Sequence, residues 1–265
     1  MRKVVSREYK FMLDHGAFAD RKTAVESFWE ELRDLAQSLG VDAEGQFDSP
    51  ENRVIVFLDT PDFTVRRNGV IFRRREAVGG GEVEYTLKCR SEDRYIADGI
   101  DVKATGGLKD DPKFEEDIAA PFLSRFSHSN TIEFAGNDPG VPKDLDQAGK
   151  LFPFLSELER DGARCPGSTP LLPVNNVKAF ERVYKGPKLR VENEKATVAL
   201  ILWSNGSKGR PLVAEFSFRY GEKDENYSAA VAASAKRFYE TMQRLDWCRP
   251  DGMTKTQYVY RGTGE

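Results

Sequence analysis

Polar and apolar residues alternate with a period of two along much of the chain, a pattern typical of β-strands. In residues 82–90, apolar side chains occupy one parity, and charged or hydroxyl-bearing side chains occupy the other. Residues 5–12 and 212–220 follow the same pattern. Each of these strands therefore has an apolar face and a charged face, and the sequence predicts a mainly β fold of the α+β class.

Two segments place their apolar residues three and four positions apart, which is the spacing of an amphipathic helix. The first covers residues 22–39 and stops before Gly40, and the second covers residues 227–245. We expect both helices to pack their apolar sides against the predicted strands.

The segment at about residues 121–175 is rich in Pro, Gly, Asp and Asn. We expect a loop-rich insertion here, with short helices at 122–126 and 151–158. The segment would be an insertion within a single domain that spans residues 1–265, rather than a second domain.

The arrangement of the strands must cover their apolar faces. An ordinary antiparallel sheet with solvated charges explains any one strand, but two helices are few to cover some eight strands. A closed antiparallel sheet of eight strands solves this problem, because helices pack on its outside and the charged faces line a tunnel. Charges in such a lumen are costly unless they pair with one another or with an ionic ligand. We therefore predict a β-tunnel with a charged lumen.

Composition narrows the classes of function. The formal net charge over 265 residues is −3, so the chain as a whole is not a basic nucleic-acid-binding protein. No apolar run approaches the ~18 residues that span a bilayer, and the first ten residues lack the apolar core of a secretory signal. Three widely spaced cysteines do not make a disulfide framework. We expect a cytoplasmic protein with no membrane and no nucleic-acid partner.

The segment 57–75 resembles the central signature of the CYTH superfamily, the triphosphate tunnel metalloenzymes. Its Phe57-Leu-Asp-Thr60 is similar to the family's Tyr-Phe-Asp-Thr-like strand end. After a short turn, Gly69 precedes Arg73 and Arg75, which resemble the family's Arg-x-Arg strand.

Further elements match the family in the expected order along most of the chain. They are Ser6-Arg-Glu-Tyr-Lys10, Tyr85-Thr-Leu-Lys88, Lys113-Phe-Glu115-Glu-Asp117, Phe180-Glu-Arg182, Ala214-Glu215-Phe-Ser217 and Thr254-Lys255-Thr-Gln-Tyr258. Two carboxylates of the family pattern are missing, because Ser6 and Ser217 stand where the family has Glu.

The resemblance implies a metal-dependent phosphohydrolase that acts on inorganic triphosphate, short polyphosphate or a triphosphate ester. Arginine suits phosphate because its planar fork donates two hydrogen bonds at once, and lysine acts as a point charge. The cations expected to bind the substrate are Lys10, Arg73, Arg75, Lys88, Arg182, Arg219 and Lys255. The first three are also expected to act in catalysis.

The cofactor that the resemblance implies is Mg²⁺ or Mn²⁺, which prefer carboxylate and phosphate oxygens. The expected ligands are Glu8, Glu115, Asp117 and Glu215. The ion would polarise a phosphoryl oxygen and orient a water molecule for in-line attack, while the cations neutralise charge on the leaving phosphate.

Some neighbouring residues are expected to have other roles. Arg66, Arg67 and Arg74 are expected to face solvent, because a run of arginines at a turn usually does. Asp59 and Thr60 are interpreted as structural residues of the strand-to-turn junction. Glu116 and Glu181 have the wrong parity for the tunnel and should lie outside it.

Alternative functions stay open at this point. A class IV-type adenylate cyclase would use the same cations to bind a nucleoside triphosphate and form cyclic AMP. A non-catalytic polyphosphate-binding module is favoured by Ser6 and Ser217, and a lipocalin-like binder of apolar ligands ranks last because the inward positions are charged. The oligomeric state is open, with a homodimer among the options.

Overall fold

The computed structural model describes residues 1–107 and 109–261. Its strands are β1 (Ser6–Leu13), β2 (Asp42–Glu44), β3 (Glu51–Asp59), β4 (Val70–Ala77), β5 (Glu82–Ser91), β6 (Lys109–Asp110), β7 (Lys113–Ala119), β8 (Leu123–Ala135), β9 (Glu159–Arg160), β10 (Ala163–Arg164), β11 (Leu172–Tyr184), β12 (Lys188–Val191), β13 (Glu194–Ser204) and β14 (Pro211–Gly221).

The helices are α1 (Arg21–Ser38), α2 (Thr64–Arg67), α3 (Arg94–Gly99), α4 (Leu145–Gly149), α5 (Ala229–Met242) and α6 (Lys255–Arg261), with 3₁₀ turns at His15–Phe18 and Pro153–Ser156. The two helices predicted from apolar spacing are confirmed as α1 and α5. Among the described residues, no helix combines the length and the apolar character needed to cross a membrane.

Nine strands close into a barrel in the order β11, β3, β4, β5, β8, β7, β1, β14, β13, and the last pairs again with β11. The closed, mainly β architecture with helices outside is as predicted, but the predicted eight antiparallel strands are not. All neighbours are antiparallel except β1 and β7, which run parallel. Because three other barrel strands, β3, β4 and β5, lie between these two strands in the chain, no hairpin forces them to be antiparallel.

The additional strand comes from the segment expected to be an insertion. The predicted helix at 122–126 is wrong, since these residues begin β8, which pairs with β5 and β7. The alternation in β8 is hard to recognise because its outward parity includes the buried polar residues His128 and Asn130. Residues 151–158 contain a 3₁₀ turn, in partial agreement with the predicted short helix.

The outer wall of the barrel is covered by two apolar layers. On the side of β1, β13 and β14, α1 and α5 pack on aromatic residues such as Phe216 and Phe218. On the side of β4 and β5, the segment after β8 contributes Phe152 and Leu155, which pack with Phe72 and Tyr85. The strands under these layers therefore have apolar outer partners, and their polar parity faces the lumen.

The lumen itself is apolar at one end. Ile55, Phe57 and Trp203 point inward there and pack with Val259 and Tyr260 of α6. The C-terminal helix thus fills this end of the barrel, and the charged residues occupy the remainder of the lumen.

Candidate functional site

The first group of charges in the lumen is centred on Asp117 of β7, and we call it the Asp117 cluster: Glu8, Lys10, Lys88, Arg90 and Asp117. Asp117 is only 4% exposed. Its Oδ1 lies 3.0 Å from Lys10 Nζ, and its Oδ2 lies 2.6 Å from Arg90 Nη2 and 3.3 Å from Lys88 Nζ. Lys10 Nζ also lies 2.8 Å from Glu8 Oε2. One buried carboxylate therefore holds three cations from β1 and β5.

These contacts determine the protonation of the Asp117 cluster. Burial alone would raise the pKa of Asp117, but Arg90, Lys10 and Lys88 hold it well below its usual range. Burial would lower the pKa of Lys10, but Asp117 and Glu8 raise it above the ordinary value. Lys88 is the exception, because burial and the charges of Lys10 and Arg90 lower its pKa to about 8, despite the opposing effect of Asp117.

The second group lies where β3, β4, β5 and β11 meet, and we call it the Arg73 cluster: Arg53, Arg73, Arg75, Glu84 and Glu181. Arg75 Nη1 donates to Glu84 Oε2 at 3.2 Å, and Arg75 Nε lies 3.9 Å from Glu181 Oε2. A cavity of about 180 Å³ is lined in part by Arg53, Arg75 and Glu84, and it gives this cluster access from solvent.

Arg73 is the least compensated cation of the lumen. Its Nη2 donates to Thr86 Oγ1 at 3.3 Å, its Nε is buried without a partner, and no carboxylate of the described residues lies within 4.0 Å of it. Burial and the charge of Arg75 lower the pKa of Arg73 to about 9. The charged guanidinium is therefore held at a cost that a bound anion would offset.

The remaining predicted cations form single ion pairs. Arg219 Nη1 donates to Glu115 Oε1 at 3.2 Å, and Ser6 Oγ donates to the same oxygen at 2.6 Å. Lys255 Nζ of α6 lies 2.7 Å from Glu215 Oε1. Ser6 therefore orients Glu115 from the position where the family pattern has a carboxylate.

The four acids predicted as metal ligands do lie in the lumen, but each is engaged by a cation: Glu8 by Lys10, Glu115 by Arg219, Asp117 by three cations and Glu215 by Lys255. In the described part of the chain, the acids with carboxylate oxygens close enough to share an ion are instead Glu82, Glu84 and Glu133. As arranged, the predicted acids do not fit a Mg²⁺ or Mn²⁺ ion, because the cation paired with each carboxylate would repel a second cation at the same oxygen atoms.

The structure corrects the prediction that Arg182 lines the tunnel. Arg182 pairs in register with Leu202, a residue of the outer core, and its guanidinium lies 4.6 Å above the ring of Phe180. On β11 the apolar parity, which includes Ala179, faces the lumen, because this wall is part of the apolar end. This is the reverse of strands such as β5, where the apolar residues face outward and the polar residues face the lumen.

The same reversal corrects the placement of Glu181, which was predicted to lie outside. Its side chain is 1% exposed in the lumen, and its Oε1 accepts a hydrogen bond from Trp203 Nε1 at 2.9 Å. Burial would raise its pKa, but Arg75 and Lys255 lower it below the ordinary value. By contrast, Glu116 faces outward as predicted and pairs with Arg7. Arg74 points to the outside of the barrel but not into solvent as expected, because its side chain is 12% exposed and pairs with Asp138.

Two lumen cations were missed by sequence reasoning. Arg90 shares the inward parity of Lys88, so the alternation in β5 contained the signal. Arg53 had no such signal, because the other inward residues of β3, Ile55 and Phe57, are apolar.

Comparisons with known proteins add only distant likenesses. No family model matches the chain, and no curated protein matches its sequence. A solved structure from Hippeastrum, of an adenylyl cyclase candidate described as having a dominant triphosphatase activity, is 13% identical, with 97% of this chain and 95% of that chain covered and a TM-score of 0.43. A candidate adenylate cyclase of Bacillus halodurans is 11% identical, with coverage of 97% and 98% and a TM-score of 0.42. At these sequence identities and TM-scores, neither likeness carries a functional argument.

Proposed function

We propose that the lumen binds the triphosphate group of inorganic triphosphate, a short polyphosphate or a triphosphate ester, and that the protein hydrolyses a phosphoanhydride bond in it. The observation that carries the proposal is Arg73, a cation without a carboxylate partner within ion-pairing distance, directed into a lumen lined with other cations. Lys10, Arg75, Lys88 and Arg90 would share the remaining phosphate oxygens. The order of the CYTH-like sequence elements supports the same ligand class.

The chemistry would be carried by charge neutralisation. Phosphoryl transfer needs little covalent participation from the protein, and stabilisation of charge on the departing phosphate contributes most of the acceleration. Arg73 and Arg75 can each present two parallel N–H donors to phosphate oxygens, and Lys10 adds a point charge from the facing strand β1. No step is routed through a metal ion, because each predicted ligand is already paired with a cation.

The direct test is release of phosphate from tripolyphosphate by the purified protein, with Mg²⁺, with Mn²⁺ and with a chelator. Turnover in any of these conditions that is absent from a heat-denatured sample supports hydrolysis. No release across a broad pH range, together with no binding of tripolyphosphate by calorimetry, would refute the proposal. Formation of cyclic AMP from ATP in a parallel assay would instead identify a cyclase.

A second candidate is a module that binds polyphosphate without cleaving it. The specific observation in its favour is that the acids expected to hold metal are all engaged by cations, including Glu215 by Lys255. Tight binding of tripolyphosphate that is unaffected by chelator, with no turnover, is the result expected from such a module.

Binding of tripolyphosphate is expected to weaken as the pH rises from 7 to 9.5. Because the pKa of Lys88 in the free protein is about 8, Lys88 is charged below that pH and must take up a proton to bind an anion above it. Each pH unit above 8 therefore costs up to about tenfold in the contribution of this lysine. The ligand and Arg73 titrate too, so Lys88→Gln supplies the baseline. Calorimetric titrations at several pH values should show a steeper fall for wild type than for the variant, and parallel profiles would contradict the role of Lys88.

A further inference from the structure

We propose that Asp117 is a built-in counter-anion for the cations of the Asp117 cluster. In the free protein its carboxylate occupies the place of a phosphoryl group among Lys10, Lys88 and Arg90, and its charge limits the affinity for triphosphate. The inference rests on the proposed function and assigns Asp117 a role different from the metal ligand that the sequence suggested.

The geometry of Asp117 matches that of a bound anion. Its Oδ2 accepts a hydrogen bond from Arg90 Nε at 2.9 Å and lies 2.6 Å from Arg90 Nη2 and 3.3 Å from Lys88 Nζ. Its Oδ1 lies 3.0 Å from Lys10 Nζ as an ion pair and accepts no hydrogen bond from the described residues. Such short contacts with cationic donors are those that a phosphate oxygen would make. With its side chain 6% exposed, Asp117 has little access to water, so the cations are the main source of stabilisation for its carboxylate.

The same contacts argue against a metal at Asp117. A divalent ion must approach a carboxylate oxygen to 2.0–2.6 Å. At Oδ2 it would meet the guanidinium of Arg90 and the ammonium of Lys88 at nearly the same distance, and at Oδ1 it would meet Lys10. Repulsion between these charges in a poorly solvated lumen would exclude the ion.

Charge balance then predicts how Asp117 affects the ligand. The three cations are opposed by Asp117 and by Glu8, which pairs with Lys10, so the free Asp117 cluster carries only one net positive charge. An incoming triphosphate must share these cations with Asp117 or displace it. When phosphate leaves, the Asp117 carboxylate can re-form its ion pairs with the three cations, which would speed the release of product.

The experiment compares calorimetric binding of tripolyphosphate, without metal, by wild type and by Asp117→Asn. The neutral amide should bind about tenfold or more tightly, because one negative charge a few ångströms from the phosphate is removed. Pyrophosphate should also bind more tightly, and kcat should fall with KM as product release slows. Glu116→Gln is the matched control, since it makes the same chemical change at the preceding residue on the outer face, and it should leave the affinity at the wild-type value. Asp117→Glu, which keeps the charge, should restore affinity towards that value.

The outcomes separate this inference from the proposed function. If wild type binds no tripolyphosphate, the proposed function fails. If wild type binds and Asp117→Asn binds equally or less tightly, the proposed function stands and the counter-anion role is overturned. Should the neutral variant fail to fold, the carboxyl ¹³C resonance of Asp117 in the wild-type protein gives the answer. It should shift on addition of tripolyphosphate alone, whereas a metal ligand would respond only when Mg²⁺ is added.

Discussion

Replacement of Arg73 by alanine is expected to weaken tripolyphosphate binding by at least about 100-fold, a loss of about 2.7 kcal/mol, whereas Arg182→Ala should leave binding unchanged. Both arginines belong to elements that resemble the CYTH pattern, so sequence alone expects the same result from both. The structure separates them, because Arg73 faces the lumen and Arg182 lies on the outer wall above Phe180.

The size of the effect follows from the surroundings of Arg73. A charge-assisted hydrogen bond in a desolvated site is stronger than one in water, and removing one partner commonly costs 2–5 kcal/mol. The guanidinium is not engaged by a carboxylate of the described residues, so its charge is available to the ligand. Lys255, by contrast, is already paired with Glu215 at 2.7 Å. We therefore expect removal of the Lys255 side chain to cost less binding affinity.

The measurement is isothermal titration calorimetry of the two variants beside wild type, with thermal unfolding as a check of the fold. Arg73→Ala should unfold no earlier than wild type, because it removes a buried charge that no carboxylate compensates in the free protein. Loss of binding with an unchanged unfolding temperature would therefore report the ligand contact. If Arg73→Ala binds within threefold of wild type, or if Arg182→Ala loses as much, the location of the phosphate site is wrong.

The sequence predicted the inward residues well where a strand has one apolar and one charged parity. On β5 the outward residues pack against the layer that contains Phe152, so Lys88 could be assigned inward from alternation. On β4 both parities carry charged residues, and Arg73 and Arg75 were assigned inward through the resemblance to the Arg-x-Arg strand. The resemblance added the order of the elements. These strands could be interpreted because burial on the outside required apolar residues on that parity.

The prediction failed where the lumen is itself apolar. On β11 apolar residues are needed on the inside, so Glu181 was placed outside and Arg182 inside. The outward Arg182 is tolerated because its guanidinium lies over the ring of Phe180 and donates to the carbonyl oxygen of Ser207. Which wall of a barrel is apolar inside depends on what fills its end, here α6 packed against Trp203 through Tyr258 and its neighbours, and no local pattern contains that information.

The ion-pair partners of the acids could not be predicted from the sequence either. The inward orientation was predicted correctly for Glu8, Glu115, Asp117 and Glu215, but the cations that pair with them were not predicted. An ion pair depends on the stagger between strands and on side-chain length, which set the distance across the lumen. Hence the sequence could predict a lumen with both signs of charge, but not that the cations would occupy the oxygens expected to hold metal.

Asp59→Ala is expected to lower the free energy of unfolding by about 3 kcal/mol or more. The Asp59 side chain is 1% exposed at the end of β3. Its Oδ1 accepts hydrogen bonds from the backbone N–H groups of Thr60 and Val65, both at 2.8 Å, and its Oδ2 accepts from the N–H of Arg66 at 3.1 Å and from Tyr260 Oη at 2.8 Å. This arrangement confirms the structural role predicted for Asp59 at the strand-to-turn junction.

The cost of losing Asp59 is large because its four donors would be left in a buried site. Each buried donor without a partner costs about 1–3 kcal/mol, and water entering the gap would recover part of this. The loss should also reach the lumen, since Tyr260 belongs to α6, the helix that carries Lys255 to Glu215. A less firmly held α6 would weaken the Lys255–Glu215 pair. The variant should therefore bind tripolyphosphate with a range of affinities rather than a single one, even at temperatures where it stays folded.

Urea unfolding followed by circular dichroism measures the effect, and Tyr260→Phe is the matched control. This control removes the single hydroxyl donor and keeps the aromatic packing of Tyr260 with Phe57 and Phe63, so it should cost only about 1 kcal/mol. Either substitution alone removes the hydrogen bond between Tyr260 and Asp59, and the double variant loses that bond only once. The double variant should therefore lose less free energy of unfolding than the sum of the two single variants. A loss below 1 kcal/mol for Asp59→Ala would mean that the turn holds its shape without the carboxylate. In that case α6 would be held at the apolar end by packing alone, through Val259 and Tyr260.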